Sequence, residues 1–217
     1  MSLRIDFVSD IACPWCAVGL NALERALERL GDEVPVELHF QPFELNPQMG
    51  AEGADTVDYL SRKYGLSAAR IAQNQQAIRE RGAAVGFAFG ARPRVWNTFD
   101  AHRLLAWAGT QGAAQQRALK HALLTAYHGE GRNPGAREVL LQAAAMAGLD
   151  SAAAASVLDG PDFADEVHEA EAFWQGAGIH SVPAVVVNRR HLIQGGQPPE
   201  VFEQALRQIA AAPTGTE

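Results

Sequence analysis

The chain has 217 residues, of which 47% are hydrophobic, and its 18 basic and 25 acidic side chains give a formal net charge of -7. A chain of this length and apolar content can bury a core without disulfide or metal staples. Its acidic balance offers no basic surface to nucleic acid or to an anionic membrane. We therefore expect small molecules and other proteins as partners.

The first residues of the chain and its cysteines indicate the cellular compartment in which we expect the protein. The first apolar stretch is interrupted by Asp6 and Asp10 and is too short for the core of a signal peptide. No apolar run reaches the roughly 18 residues that a membrane span requires. We expect a cytoplasmic protein, in which a close pair of cysteines indicates catalysis or metal binding rather than a structural disulfide.

The first forty residues predict a β-α-β unit. Residues 3–8 form an apolar run typical of a buried strand, and Pro14 opens a helical pattern that ends at Gly31. Apolar and polar residues then alternate from Val34 to Phe40, as in a second strand. A crossover of this kind gives two parallel strands with right-handed connection.

The middle of the chain is helical, and strands return near its end. Helical periodicity predicts segments near 56–64, 67–84, 98–109, 113–128, 135–147 and 161–175. Strands are predicted at 184–187 and 191–194, and a last helix follows Pro198 and Pro199. The order predicts an α/β protein in which a helical domain, 46–176, is inserted into a sheet domain formed by 1–45 and 177–217.

The motif Cys13-Pro14-Trp15-Cys16 lies where the first strand ends and the first helix begins. The unpaired N–H groups of a helix N-terminus favour an anion, so they are expected to lower the pKa of Cys13 and supply a nucleophilic thiolate. Cys16, one turn further on, is near enough to form a disulfide with Cys13 as the resolving partner. Pro14 suits the first turn, where no backbone donor is needed.

Two other interpretations of the cysteine pair remain open. The cysteines could be small buried hydrophobic residues, or they could form half of a zinc site. Zinc normally takes four ligands, and the chain has neither a second CxxC nor a His pair at finger spacing, so we expect no metal. Redox catalysis is favoured because strand, CxxC and helix N-terminus coincide.

The motif and several other segments together resemble the DsbA-like, FrnE-type thiol-disulfide oxidoreductases. The similar segments are 9–16, 43–47, 97–105, 182–188 and 195–198. This resemblance implies a thioredoxin fold interrupted by an inserted all-helical domain. It also implies that Pro183 is cis and lies beside the CxxC motif, with Val182 offering its backbone to an extended substrate.

The resemblance further implies an enzyme that reduces or isomerises disulfides of proteins or small molecules through Cys13 and Cys16. No tightly bound cofactor is expected; glutathione is a candidate co-substrate, and glutathione or a thioredoxin-type protein is a candidate reductant. The dipeptide Pro14-Trp15 lacks the His of the strongly oxidising DsbA type, so the direction of electron flow is left open. The chain also lacks the second cysteine pair of some FrnE-type proteins.

Two further residues, Asp6 and Trp15, are candidates for supporting the thiols. Asp6 lies on the first strand, where a buried carboxylate could accept the proton of Cys16; the alternative is an ordinary solvated or strand-end carboxylate. Asp10 is interpreted as a loop residue near the helix start. Trp15 is expected to be exposed and to flank a substrate groove.

His102 and Arg103, with Arg92 and Arg94 upstream, are candidates for contacting substrate. They could line a groove facing the thiols and bind a carboxylate such as that of glutathione, because the Arg fork suits carboxylate geometry. A network of ion pairs at a helix start is the alternative.

Two competing functions belong to other classes. One is a glutathione-dependent isomerase or transferase similar to the chromene-carboxylate isomerases and kappa-class transferases. Those proteins typically have Ser at the first active-site position, so Cys13 argues against this alternative. The other is a non-catalytic binding module or holdase that uses the groove for unfolded chains.

Overall fold

The computed structural model describes residues 2–212 as a mixed sheet with helices. In chain order the elements are β1 (Leu3–Ser9), α1 (Pro14–Leu30), β2 (Val36–Pro42), β3 (Ala54–Asp55), α2 (Thr56–Tyr64), α3 (Ala68–Ala84), β4 (Arg94–Val95), α4 (Phe99–Gln111), α5 (Ala113–Leu124), α6 (Arg137–Met146), α7 (Ser151–Asp159), α8 (Ala164–Gly176), β5 (Ala184–Val187), β6 (His191–Gln194) and α9 (Pro199–Ala211). A short 3₁₀ turn (Gly31–Glu33) follows α1, and a π-helical turn (Thr125–Gly129) follows α5.

The main sheet has the strand order β2-β1-β5-β6. β1 runs parallel to β2 and antiparallel to β5, and β5 runs antiparallel to β6. Both β1 and β5 are central strands and are buried along almost their whole length, as expected for strands covered on both faces. The predicted parallel β-α-β unit and the two C-terminal strands are therefore confirmed.

One hydrophobic core joins the sheet to the helical segment between β2 and β5. It includes Ile5 and Phe7 of β1, Leu20 of α1, Leu104 of α4 and Leu119 of α5, all of which are fully buried. The helical segment therefore stabilises the sheet directly and fixes the position of its own residues relative to the first strand and first helix.

The predicted fold class, a thioredoxin fold with an inserted helical segment, is confirmed. Three local features were missed. Helix α7 is largely an alanine run without amphipathic periodicity, β3 and β4 are too short to show alternation, and the helix predicted over 113–128 changes at Leu124 into the π-helical turn. Among residues 2–212, no helix has the length and apolar character needed to cross a membrane.

Candidate active site

The CxxC motif forms the start of α1, directly after a three-residue loop that follows β1. Cys13 occupies the N-cap position with extended backbone angles, φ −88° and ψ 114°, and Pro14 is the first helical residue. Both cysteines are free thiols. Cys13 is 5% exposed and Cys16 is fully buried. A substrate that approaches from solvent therefore reaches Cys13 first.

The two thiols differ in acidity for a physical reason. The hydrogen bond from the Cys16 thiol lowers the pKa of Cys13, and this effect outweighs the opposing effect of burial. Burial raises the pKa of Cys16 well above its ordinary value, and donation of its hydrogen bond to Cys13 raises it further. The pair thus consists of an acidic outer thiol and a buried inner thiol that holds its proton.

A loop from the far end of the chain closes over Cys13. The Val182-Pro183 peptide bond is cis, and the Cys13 thiol donates to the Val182 carbonyl oxygen at 3.5 Å. Gly19 of α1 permits this approach, because a methyl group there would lie 3.0 Å from Pro183 Cγ and 3.3 Å from Gly196 Cα. Two of the segments that carry the family resemblance therefore pack on the first turns of α1.

A cavity of about 470 Å³ opens beside the outer thiol; we call it the groove. Cys13, Pro14, Trp15 and Val182 form one wall. Side chains from α2, α3 and their neighbouring loops form the other, among them Leu45, Tyr59, Leu60, Tyr64, Ile71 and Ile78. Trp15 is 37% exposed, as expected for a residue flanking a groove. The mainly apolar lining suits an apolar substrate segment.

Arg92 and the π-helical turn hold the loop that precedes Cys13. The Arg92 guanidinium lines the groove and donates to the Ala12 carbonyl oxygen at 3.2 Å. His128 hydrogen-bonds the Ile11 carbonyl oxygen through Nε2 at 2.8 Å, and its Nδ1 lies 3.3 Å from Arg92 Nη1. Burial, followed by the Arg92 charge, lowers the pKa of His128 well below its ordinary value, so the ring is neutral and can donate at Nε2 while accepting at Nδ1.

Asp10 is a buried junction beneath the thiols. One carboxylate oxygen accepts from the Ala12 N–H at 2.9 Å and the Thr98 hydroxyl at 2.8 Å, and the other accepts from the Leu45 N–H at 2.7 Å. His102 Nε2 lies 3.4 Å away. Burial raises the pKa of Asp10, but the hydrogen bond and charge of His102 and the backbone donors outweigh it, so the pKa is lowered.

Asp10 lies in the loop before α1, as expected from the sequence, but its carboxylate does more than that position indicated. Its carboxylate joins the active-site loop to the chain after β2 and to the start of α4. No local pattern could have revealed this role, since Leu45 and Thr98 are 35 and 88 positions away.

Asp6 lies elsewhere. Its carboxylate is buried on β1, where it accepts from Arg4 at 2.7 and 2.9 Å and from Gln41 at 2.7 Å. These partners lie on β1 and β2, and no hydrogen bond joins Asp6 to either cysteine within the described residues. This placement argues against the proton-relay role, which was one of the two interpretations of Asp6.

His102 and Arg103 do not line the groove, contrary to expectation. His102 is 2% exposed and faces Asp10. Arg103 is 6% exposed and donates to the carbonyl oxygens of Asp162, Val157 and Gly160. It thereby fastens α4 to the end of α7 and the loop before α8, which is closer to the alternative of a structural network. Of the four residues considered for carboxylate binding, Arg92 is the one that lines the groove.

The fold and the paired thiols define the protein as a DsbA-like oxidoreductase of the thioredoxin superfamily. Residues 4–207 match the family model of the DSBA-like thioredoxin domain. The structure described as a probable DsbA oxidoreductase, SCO1869 from Streptomyces coelicolor, is 34% identical with a TM-score of 0.91, covering 99% of this chain and 93% of that one. The chain therefore belongs to the DSBA-like thioredoxin domain family, and it is a thiol-disulfide oxidoreductase.

Other similar proteins are more distant. The uncharacterized protein YwbO of Bacillus subtilis is 27% identical over 95% of this chain and 96% of its own length. The cytosolic disulfide reductase DsbM from Pseudomonas aeruginosa, solved with GSH, is 17% identical with a TM-score of 0.67 over 96% and 100% of the two chains. A 2-hydroxychromene-2-carboxylate isomerase is 15% identical with a TM-score of 0.73 over 95% and 96%. The last two share the fold alone.

Proposed function

We propose that the protein reduces or isomerises disulfides through a dithiol cycle of Cys13 and Cys16. The observation that carries this proposal is the asymmetry of the pair. Cys13 has a lowered pKa and an edge open to the groove, whereas Cys16 is sealed beneath it with a raised pKa. A nucleophile and a resolving thiol require this arrangement.

The cycle has two displacement steps. The Cys13 thiolate attacks one sulfur of the substrate disulfide, which forms a mixed disulfide and expels the first substrate thiolate. Cys16 then loses its proton and attacks Cys13 Sγ, which forms the Cys13–Cys16 disulfide and expels the second thiolate. Two electrons pass from the protein to the substrate, and an external thiol restores the dithiol by the reverse steps.

The groove supports an extended, largely apolar substrate segment that carries the disulfide. Trp15 provides an exposed aromatic surface beside Cys13, and Val182 provides a peptide group within reach of the reacting sulfur. Both protein segments and small-molecule disulfides fit this description. Arg92 could pair with a carboxylate of a bound thiol.

We further propose a cytoplasmic location, with glutathione or a thioredoxin-type protein as the reductant. In a reducing compartment the cycle runs toward reduction or isomerisation rather than net oxidation. The fold shared with DsbM, a cytosolic disulfide reductase solved with GSH, supports glutathione as co-substrate.

Single-cysteine variants test the proposal. We expect Cys13→Ser to abolish glutathione-dependent reduction of insulin disulfides, and Cys16→Ser to lose turnover while still forming a mixed disulfide at Cys13. A glutathione-dependent isomerase would keep its activity in Cys16→Ser. A holdase would still suppress aggregation with both cysteines changed to Ser. Wild-type reductase activity in either single variant would refute the dithiol cycle.

A further inference from the structure

The lining of the groove is basic in a chain that is acidic overall. The chain has 25 acidic and 18 basic side chains. Among residues 2–212, however, no Asp or Glu lines the groove, whereas the guanidinium of Arg92 does. An anionic group that enters the groove therefore meets a cation and no carboxylate in the wall.

A second basic side chain stands directly behind the wall of the groove. Lys63 of α2 donates from Nζ to the Leu45 carbonyl oxygen and to Asn46 Oδ1, both at 2.8 Å. The same amine lies 5.4 Å from the centre of the Tyr59 ring. Because Leu45, Asn46 and Tyr59 all line the groove, the charge of Lys63 adds to that of Arg92.

Arg92 lies where the groove meets a neighbouring cavity of about 380 Å³, which we call the side pocket. The two cavities share Pro14, Gln75, Ile78 and Arg92. The side pocket has a further basic residue, Arg79 of α3. The positive charge therefore continues from the groove into the side pocket.

The acidic groups nearest this position are engaged by other donors. Among residues 2–212, Asp55 is the acidic residue that lines the side pocket, and its carboxylate accepts from the N–H groups of Val57 and Asp58 at 2.9 and 3.0 Å. Asp10, whose negative charge acts on Cys13, is fully buried and accepts three hydrogen bonds. Neither carboxylate forms an ion pair with Arg92.

The Arg92 guanidinium lies close to the reacting sulfur and has donors to spare. Its Nη1 donates to the carbonyl oxygen of Ala12, the residue before Cys13. One residue spans about 3.8 Å of chain, so a carboxylate a few bonds from the attacked sulfur lies within reach of the guanidinium. The contacts with Ala12 and His128 both use Nη1, and a guanidinium has five N–H donors in a fork that fits a carboxylate.

We propose that the protein selects acidic disulfides, in which a carboxylate lies a few bonds from the sulfur, and that Arg92 binds this carboxylate. This inference rests on the proposed dithiol cycle and names its substrate class. Cys13 and Cys16 become a disulfide, the substrate disulfide becomes two thiols, and Arg92 exchanges no proton. A small acidic thiol and an acidic side chain beside a cysteine of a protein share this chemistry.

Three small disulfides that differ only in charge test the selection. Dithiodipropionate, hydroxyethyl disulfide and cystamine carry a carboxylate, a hydroxyl and an ammonium group on the same two-carbon spacer. The reduced protein is mixed with an excess of each at pH 7, and acid quench with intact-mass analysis gives the rate of oxidation. Each rate is divided by that of the neutral dithiol dithiothreitol with the same disulfide, which removes the intrinsic reactivity of the disulfide.

We expect the wild type to prefer dithiodipropionate over hydroxyethyl disulfide by about 10-fold, the factor expected for one hydrogen bond between charged groups, and to disfavour cystamine. The preference should shrink at high ionic strength. Arg92→Gln keeps a donor for Ala12 but removes the charge, so it should abolish the preference. Any effect of this variant on the loop before Cys13 slows all three disulfides alike and cancels in the ratio.

The control is Arg94→Gln, which removes the same charge two residues away. Arg94 is exposed, donates to the carbonyl oxygens of Glu52 and Gly53, and is not among the described residues that line the groove. This variant should keep the wild-type preference. Loss of the preference in Arg94→Gln would assign it to overall charge rather than to Arg92 and would overturn the proposal.

A pair of disulfide-linked peptide dimers, with Glu or Gln beside the cysteine, distinguishes the two sources of the carboxylate. Faster reaction of the Glu dimer extends the selection to protein segments, and equal rates confine it to small disulfides. A wild-type ratio equal to that of dithiothreitol, or an undiminished preference in Arg92→Gln, would overturn the proposal. If Arg92→Gln does not fold, the wild-type ratios and their salt dependence decide. If none of the disulfides oxidises the wild type, the dithiol cycle fails instead.

Discussion

Replacing Thr98 by Val tests whether Asp10 is the junction that holds the active-site loop on the helical segment. The Thr98 hydroxyl donates to the Asp10 carboxylate at 2.8 Å, and both side chains are buried. Val has nearly the same shape but no hydroxyl. The variant therefore removes one hydrogen bond to a charged acceptor and leaves the remaining donors of Asp10 in place.

The structure sets the expected magnitude. A hydrogen bond to a charged group contributes about 1.5–3 kcal/mol, so we expect Thr98→Val to lower the free energy of unfolding by about 2 kcal/mol. For a chain of this length that corresponds to a fall in Tm of roughly 4–8 °C. In an Asp10→Asn background the same change should cost only about 1 kcal/mol, because the acceptor is no longer charged.

Urea unfolding followed by tryptophan fluorescence measures these values. Thr110→Val is the matched control, because Thr110 lies in the last turn of α4, the helix that Thr98 precedes, but is exposed; its hydroxyl donates to the Trp107 carbonyl oxygen and accepts from Gln111 Nε2. It should change stability by no more than about 0.5 kcal/mol. Equal effects of the two Thr variants, or an undiminished cost in the Asp10→Asn background, would refute the reasoning.

Three other predictions concern the outer thiol, the buried Arg103 and a pair of buried glutamates. When alkylation by iodoacetamide is measured against pH, Cys13 should react fast, and the pH midpoint of its rate should lie below that of free cysteine because its thiolate forms at lower pH. A rate profile equal to that of free cysteine would contradict this. Arg103→Met should lower the free energy of unfolding by about 2–4 kcal/mol, because three carbonyl oxygens lose a charged donor. Its control, Arg137→Met, removes an exposed ion pair and should cost less than about 1 kcal/mol. Equal costs of the two variants in urea denaturation would count against the structural role of Arg103. Burial raises the pKa of Glu171 to about 7. Burial, followed by the negative charge of Glu171, raises the pKa of Glu44 to about 8. Both side chains are therefore protonated in the folded protein at a pH where they are ionised in the unfolded chain. The contribution of these two glutamates to the free energy of unfolding should be fully present below pH about 4 and decrease as the pH rises toward 8. In urea midpoints measured against pH, Glu171→Gln should make this decrease smaller, and an unchanged slope would contradict the prediction.

The order of strands and helices could be predicted from the sequence because the patterns that indicate them are local. The buried run of β1, the proline at the start of α1 and the glycine that ends it predict the first β-α-β unit. Periodicity likewise predicts most helices between β2 and β5. It misses α7, where alanines occupy every face of the helix and leave no apolar stripe.

The contacts that support the two thiols could not be predicted from the sequence in the same way. Asp10 and Arg92 act through contacts with residues that are distant in the chain, and neither a carboxylate nor a guanidinium carries a local sequence pattern that indicates burial. The family resemblance indicated that segment 97–105 matters, but it could not show which way its side chains point. His102 and Arg103 were therefore assigned to the groove, although the fold turns both inward.

Intact-mass analysis of the Cys16→Ser variant after incubation with oxidised glutathione tests the dithiol cycle most directly. Because the resolving thiol is absent, the variant should gain the mass of one glutathione, and peptide mapping should place it on Cys13. The wild type should instead lose two hydrogens and yield a peptide pair linked through Cys13 and Cys16. Absence of the adduct in the variant, or its attachment at another residue, would contradict the account.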